Sequence, residues 1–221
     1  MADYHSPTLS VIVATYNRPK TLLRLLSQLN DQRCVDFNGI DVCVVEDGSD
    51  IFFFPEEWKQ DVIKAYEITE GYPFKMLYVY RPRHLQGLSQ VYSNRNLAAR
   101  MTRGEYILQV DDDVEFHPYL LNMLQSMAGM ATDEHWVWCA RISNNIDVDP
   151  SDRKSNGWQR GPDGRWYDGR VYWQETHWQS TDSSAMFMPR RTWEALKGYD
   201  EDFDGLMGFG DQELALRVQK L

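Results

Sequence analysis

Basic residues are in short supply. The chain carries 23 lysines and arginines against 33 aspartates and glutamates, a formal net charge of −10 over 221 residues. Affinity for nucleic acid rests on neutralising phosphates with Lys and Arg, so this balance argues against a nucleic-acid-binding protein. It leaves a nucleotide ligand open, because a metal ion can supply positive charge locally. Cysteine is scarce too: Cys34, Cys43 and Cys139 are odd in number and scattered, without metal-ligand spacing. They read as reduced core residues of a cytoplasmic protein, not as a disulfide framework. No apolar run approaches the roughly 18 residues of a membrane span. Met1 to Thr8 lacks the basic-then-apolar order of a signal peptide. Work at a membrane would proceed from its surface or through a segment outside these residues. Internal repeats and low-complexity linkers are missing as well. At 43% hydrophobic and 25% charged residues the composition is ordinary for a globular protein, and the length suits one large domain with a real core.

The apolar residues fall into short runs separated by polar turns. Leu9 to Ala14 is a nearly continuous apolar strand, and Arg18-Pro19 puts proline at a helix start, where its missing N–H costs least. Leu22, Leu25, Leu26 and Leu29 follow at helical spacing, which predicts an amphipathic helix from Thr21 to about Leu29. Asp41 to Val45 predicts a second buried strand, Glu56 to Thr69 a helix, and Lys75 to Tyr80 a third strand. Ser89 to Met101 reads as helix, Tyr106 to Val110 as the fourth strand, and Tyr119 to Met130 as helix. Strand alternating with helix predicts an α/β protein whose mostly parallel sheet is covered on both faces. After about Ala131 the pattern changes. Trp136 to Ala140 reads as a strand, and Asp147 to Asp182, rich in Gly, Asp, Arg and Trp, as hairpins and loops. Ala185 to Met188 predicts a short strand and Arg190 to Lys197 a short helix. Gly210 begins a final helix with acids in its first turn and bases later, as the helix dipole favours. The chain stops within that helix, as a piece of a longer protein would.

In parallel α/β sheets ligands bind beyond the carboxyl ends of the strands. Thr15, Tyr16 and Asn17, then Glu46 and Asp47, then Asp111, Asp112 and Asp113 end three of the strands, and they are expected to gather along one rim. Side chains alternate along a strand, so Asp111 and Asp113 are expected to share one side while Asp112 faces the other. Carboxylates held that close repel, and a hard divalent ion such as Mg²⁺ or Mn²⁺ relieves the repulsion. Magnesium keeps only one or two protein carboxylates and fills its shell with water and substrate phosphates. The cluster therefore points to a diphosphate-bearing substrate; taken alone, it is equally a solvated acidic turn.

Six segments follow in order: Val11 to Pro19, Val44 to Ser49, Asn94 to Asn96, Gly104 to Asp113, Gly198 to Phe203 and Gly210 to Arg217. Together they resemble family 2 glycosyltransferases of the GT-A fold, over nearly the whole chain from Leu9 to Val218. The resemblance implies a Rossmann-like GT-A domain over 1–221, with residues 1–130 holding a nucleotide sugar and residues 131–221, a smaller β and loop region, the acceptor. It implies that Thr15 and Tyr16, with Asn17 beside them, flank the base, and that Asp47 accepts from the uracil N–H. Glu46 stands where aspartate is common, so the acid that touches the base is left open. Arg95 would contact base or diphosphate. Asp111 to Asp113 match the DxD element, in which Asp113 ligates Mn²⁺ or Mg²⁺ and Asp111 or Asp112 bonds the ribose or helps hold the cation. Asp211 falls at the position of the catalytic base, which implies inversion in one displacement by a hydroxyl of a carbohydrate or glycan acceptor. The donor implied is a UDP-sugar, with GDP- and dTDP-sugars as alternatives. Trp158, Trp166, Trp173 and Trp178, with Asp182, are candidates for an acceptor platform, since aromatic faces stack on the C–H faces of sugars; packing is the commoner use of such tryptophans. His177 is a further candidate beside Asp182. Related families carry a metal-binding His after the final helix, a position these residues do not reach.

Other readings fit less well. Sugar-1-phosphate nucleotidyltransferases carry a glycine- and arginine-rich loop after the first strand, where this chain has Ala14 to Pro19 without glycine. A haloacid-dehalogenase-type phosphatase would need its nucleophilic aspartate on the first strand, and here the acids come on a late one. A chemically silent module that only binds nucleotide sugars or carbohydrates is disfavoured by the presence of both Asp113 and Asp211.

Overall fold

The computed structural model describes residues 8–50, 63–68, 70–83, 89–130, 138–140, 158–160, 166–168, 185–205, 209–218 and 220–221. The strands in chain order are β1 (Leu9–Thr15), β2 (Ile40–Glu46), β3 (Lys64–Ile68), β4 (Lys75–Tyr80), β5 (Tyr106–Asp111), β6 (Trp138–Ala140), β7 (Trp158–Arg160), β8 (Trp166–Asp168) and β9 (Ala185–Pro189). The helices are α1 (Pro19–Asn30), α2 (Val91–Met101), α3 (Leu120–Met130), α4 (Arg190–Leu196) and α5 (Gly210–Val218). Among the described residues seven strands make one sheet in the order β3-β4-β2-β1-β5-β9-β6, and β7 pairs with β8 in a separate antiparallel hairpin. The central four, β4, β2, β1 and β5, are parallel to one another. β3 and β9 run antiparallel to their neighbours.

Alternation along the central strands builds two cores. Val11 and Val13 of β1 pack with Val42, Val44 and Leu108 against the α1 and α3 side, where Leu22, Leu25, Leu26 and Leu29 are all buried. Each such leucine contributes about 1.5–3 kcal/mol gross. Ile12, Cys43, Val45 and Ile107 face the other way, against α2, α4 and α5. The sheet is thus covered on both faces, as the strand–helix alternation predicted. Among the described later residues, β9 pairs with β5 from Tyr106 to Val110, and Tyr199 and Leu214 sit in the same core as α2.

Two expectations are corrected. Within the segment expected to be a helix from Glu56 to Thr69, Lys64–Ile68 is the edge strand β3, paired with β4; residues 56–62 and 69 lie outside the described residues. Tyr66 and Ile68 alternate with exposed Ala65 and Glu67, so the stretch has a strand's period, and exposed Lys64 and Glu67 suit it to an edge. Cys34 is exposed in the loop after α1 and is not a core residue, whereas Cys43 is buried in β2. No helix among the described residues is long and apolar enough to cross a membrane.

Candidate active site

The carboxyl ends of β2, β1 and β5 are neighbours in the sheet, and the register sets Glu46 beside Thr15 and Asp111 beside Ala14. With neighbouring strands about 4.8 Å apart, the polar strand ends converge as expected.

The β2 end is a tight turn. Gly48 has φ 62°, and a Cβ there would come within 2.7 Å of the Arg83 amide nitrogen, so only glycine fits. Glu46 is buried beneath the turn, where Ser49 Oγ donates to its Oε1 and the Tyr78 hydroxyl donates to its Oε2 at 3.5 Å. Burial drives the Glu46 carboxyl up to about 7, against the pull of the Ser49 hydrogen bond. Asp47 turns toward α2 instead: Gln90 donates to it through Nε2 at 2.8 Å and through its amide at 3.3 Å, and Arg83 Nη2 lies 3.4 Å away. The Arg83 guanidinium also sits 3.8 Å over the ring of Tyr16, a cation–π contact. Tyr16 and Asp47 therefore share one partner. Asn17 shapes the turn after β1, with φ 53°, its amide donating to Ser49 Oγ at 2.6 Å and its Oδ1 accepting from the Asp50 amide at 2.9 Å. Thr15 donates its hydroxyl to Asp112 Oδ2 at 2.6 Å.

β5 ends at Asp111, and Asp112 and Asp113 form a turn. Alternation stops with the strand, so the expected sharing of one side by Asp111 and Asp113 gives way to a different partition. Arg18 Nη1 lies 3.1 Å from Asp112 Oδ1 and 2.9 Å from Asp113 Oδ2. Asp111 turns instead to Arg95 Nη2, at 2.5 Å. Loss of hydration pushes the Asp111 carboxyl up to about 6 against the pull of Arg95. Burial raises Asp112 as well, opposed by the Thr15 hydroxyl and Arg18.

Arg95 is the hub. Its side chain is only 5% exposed, and it links Asp111 to Asp211, whose Oδ1 it reaches through Nη1 at 3.1 Å. Burial opposes the charge on Arg95, yet Tyr199, Asp111 and Asp211 outweigh it and hold its pKa above the usual arginine value. The Tyr199 hydroxyl stands 2.8 Å from the same Asp211 Oδ1 and 2.6 Å from Gln109 Oε1. Burial, and then Asp211, raise the pKa of that tyrosine. Both Arg95 and Tyr199 hold Oδ1; Asp211 Oδ2 has no hydrogen-bond partner among the described residues. Asp211 occupies the first turn of α5, and Glu213 in the same turn pairs with Arg217 through two contacts of 2.5 and 2.7 Å. The backbone that carries α2, and so Arg95, is fixed by Asp204, which accepts from the amides of Tyr92 and Ser93 at 2.9 and 3.3 Å.

The carboxylate oxygens of Asp111, Asp112 and Asp113 are hard donors of the type a divalent cation takes. Among the described residues no three acidic, His or Cys side chains form a ready-made cage. Trp158 and Trp166 lie on the β7–β8 hairpin, opposite Asp168 and Arg160 respectively. Trp173, Trp178, Asp182 and His177 lie outside the described residues. Sequence reasoning gave no role to Arg18, Arg83, Gln90, Gln109 or Tyr199. Arg18 and Tyr199 sit inside motifs that carried the resemblance, and Gln109 is a lone polar residue in an apolar strand, a signal that it has a buried partner.

No curated protein matches this chain in sequence. Among solved structures, the mannosyltransferase PcManGT from Pyrobaculum calidifontis, in complex with GDP-Man and Mn²⁺, is similar with a TM-score of 0.58 at 16% identity, over 97% of this chain and 52% of that one. S. aureus TarS 1–349 matches with a TM-score of 0.56 at 19% identity, over 96% of this chain and 55% of that one. Its complex with UDP-GlcNAc gives 0.57 at 16% identity, over 96% and 53%. The chain thus spans about half the length of these structures, and their likeness establishes the GT-A fold. The model of glycosyl transferase family 2 matches residues 10–192, and with that match the chain belongs to glycosyl transferase family 2.

Proposed function

We propose that this protein is a metal-dependent, inverting glycosyltransferase that moves a sugar from a nucleotide donor, a UDP-sugar first, to a hydroxyl of a carbohydrate acceptor. The observation that carries the reading is the chain Asp211–Arg95–Asp111, which ties a prospective base to the acidic strand end through one buried guanidinium. Residues 1–130 are assigned to the donor and residues 131–221 to the acceptor, with Trp158, Trp166, Trp173, Trp178 and Asp182 as acceptor candidates. UDP is favoured by the family resemblance and by the UDP-GlcNAc held by TarS; the GDP-Man held by PcManGT keeps GDP as the alternative.

Arg95 and Tyr199 fix Asp211 by Oδ1, which leaves Oδ2 to accept the proton of the acceptor hydroxyl. As that proton moves to Asp211, the acceptor oxygen forms its bond to the anomeric carbon from one face. The bond to the diphosphate oxygen breaks on the other, its electron pair leaves with the nucleoside diphosphate, and configuration inverts. Asp111 and Asp113 would hold Mn²⁺ or Mg²⁺, which supplies Lewis-acid stabilisation of the leaving diphosphate. Tyr16 and Asp47, on either side of Arg83, offer a stacking face and an acceptor for the base.

A panel of nucleoside diphosphate sugars, with and without Mn²⁺, tests this by thermal unfolding. A donor at a hundred times its Kd adds about 2.7 kcal/mol, or about 5–10 °C for a chain of this size. Asp211→Asn is expected to keep that shift and to lose transfer by about 10²–10⁴-fold. Absence of any metal-dependent shift across the panel, or full turnover in Asp211→Asn, defeats the proposal.

A further inference from the structure

We propose that Arg18 is the built-in counter-charge of the Asp112–Asp113 turn, holding the place of the divalent cation, and that it moves to the donor's diphosphate when cation and donor bind together. The inference rests on the metal-dependent reading above and adds a positioning residue to it.

One nitrogen, Arg18 Nη1, serves both carboxylates, at 3.1 Å from Asp112 and 2.9 Å from Asp113. A guanidinium has five N–H donors; Arg18 Nε and Nη2 have no partner among the described residues. The side chains of Arg18 and Asp113 are 55% and 49% exposed, so this ion pair stands at the mouth of the site, whereas Asp112 lies beneath, 5% exposed and fixed by Thr15. The backbone of Arg18 is anchored: its carbonyl accepts from the Leu22 amide at 3.1 Å and from Thr21 Oγ1 at 2.9 Å, and Pro19 starts α1 directly after it. Only the long side chain is free to leave.

A cation ligated by Asp113 and a guanidinium 2.9 Å from the same carboxylate repel each other. In the donor-free protein Arg18 therefore competes with the metal. A diphosphate changes the balance, because its oxygens offer the planar fork of arginine a bidentate partner. Nucleotide and metal then bind cooperatively, each raising the affinity of the other by the same factor, and Arg18 carries a share of that coupling.

The test is Mn²⁺ titration of the full chain followed by electron paramagnetic resonance of free Mn²⁺, without nucleotide and with UDP or GDP, after subtraction of the protein-free nucleotide complex. Parent, R18Q, R18K and D113N are compared. R18Q is expected to bind Mn²⁺ about fivefold or more tightly without nucleotide and to lose a similar factor from the tightening that UDP or GDP brings. R18K, which keeps the positive charge but not the fork, is expected to stay near the parent without nucleotide and to lose part of the tightening that UDP or GDP brings, and D113N to bind weakly throughout. Unchanged or weaker Mn²⁺ binding by R18Q, beside a parent that binds Mn²⁺ with nucleotide, overturns the role of Arg18 and leaves the metal-dependent reading standing. Absence of Mn²⁺ binding in the parent with either nucleotide overturns both.

Discussion

Glu46→Gln removes one charge from the site and keeps the side chain's shape, so its effect on folding is expected to depend on pH. Glu46 is 3% exposed, and burial lifts its carboxyl from 4.5 to about 7. That gap is worth about 3 kcal/mol at about 1.36 kcal/mol per pKa unit. The folded-state pKa lies above the unfolded value, so the stabilisation is fully present below about pH 4.5 and is lost as pH rises through about 7. Glutamine does not titrate. The Glu46→Gln protein is therefore expected to gain on the parent as pH increases. The sequence pI is about 4.9, so the comparison avoids that region and runs from pH 5.5 to 8.5. About 2 of the 3 kcal/mol falls within that window. Glutamine Oε1 still accepts from Ser49, and Nε2 can donate to Tyr78, so the hydrogen bonds at Glu46 survive in kind. Urea unfolding of both proteins across the window gives the difference directly. A difference that stays flat within about 0.5 kcal/mol across the window would refute the account of Glu46 as a buried acid that titrates near pH 7.

Further outcomes follow from the same network. Arg95→Met leaves Asp111 and Asp211 without their shared cation and is expected to cost about 3–5 kcal/mol, seen as a fall in Tm of about 6–20 °C; adding Asp111→Asn should recover part of it, and a fall under about 3 °C contradicts the hub. Tyr199→Phe takes the hydroxyl from both Gln109 and Asp211, with an expected loss of about 1–3 kcal/mol in urea unfolding and slower transfer at unchanged donor affinity. Gly210→Ala drives a Cβ into the buried ring of Tyr92. It is expected to lower stability by about 1–3 kcal/mol and to displace the neighbouring Asp211, read as a loss of kcat.

Much of this protein was legible in the chain because periodicity and strand-end chemistry are local. The leucine spacing of α1, the apolar runs of β1, β2 and β5, and the polar groups that close them state the α/β layering and the strand ends at which the candidate site is proposed. The order of the motifs gave the family. Only the tertiary structure decided who holds whom. Residues 16 and 94 positions apart in sequence, Arg95 with Asp111 and Arg18 with Asp112, meet because three parallel strands end side by side. Alternation could not foresee that Asp113 would swing to Arg18, since the rule ends where the strand ends. Nor could composition show that a protein with a net charge of −10 keeps three arginines, Arg18, Arg83 and Arg95, beside the acids at the site. Charge in a sequence is a sum, whereas the energy of a charge depends on its distance to the next one and on the water excluded between them.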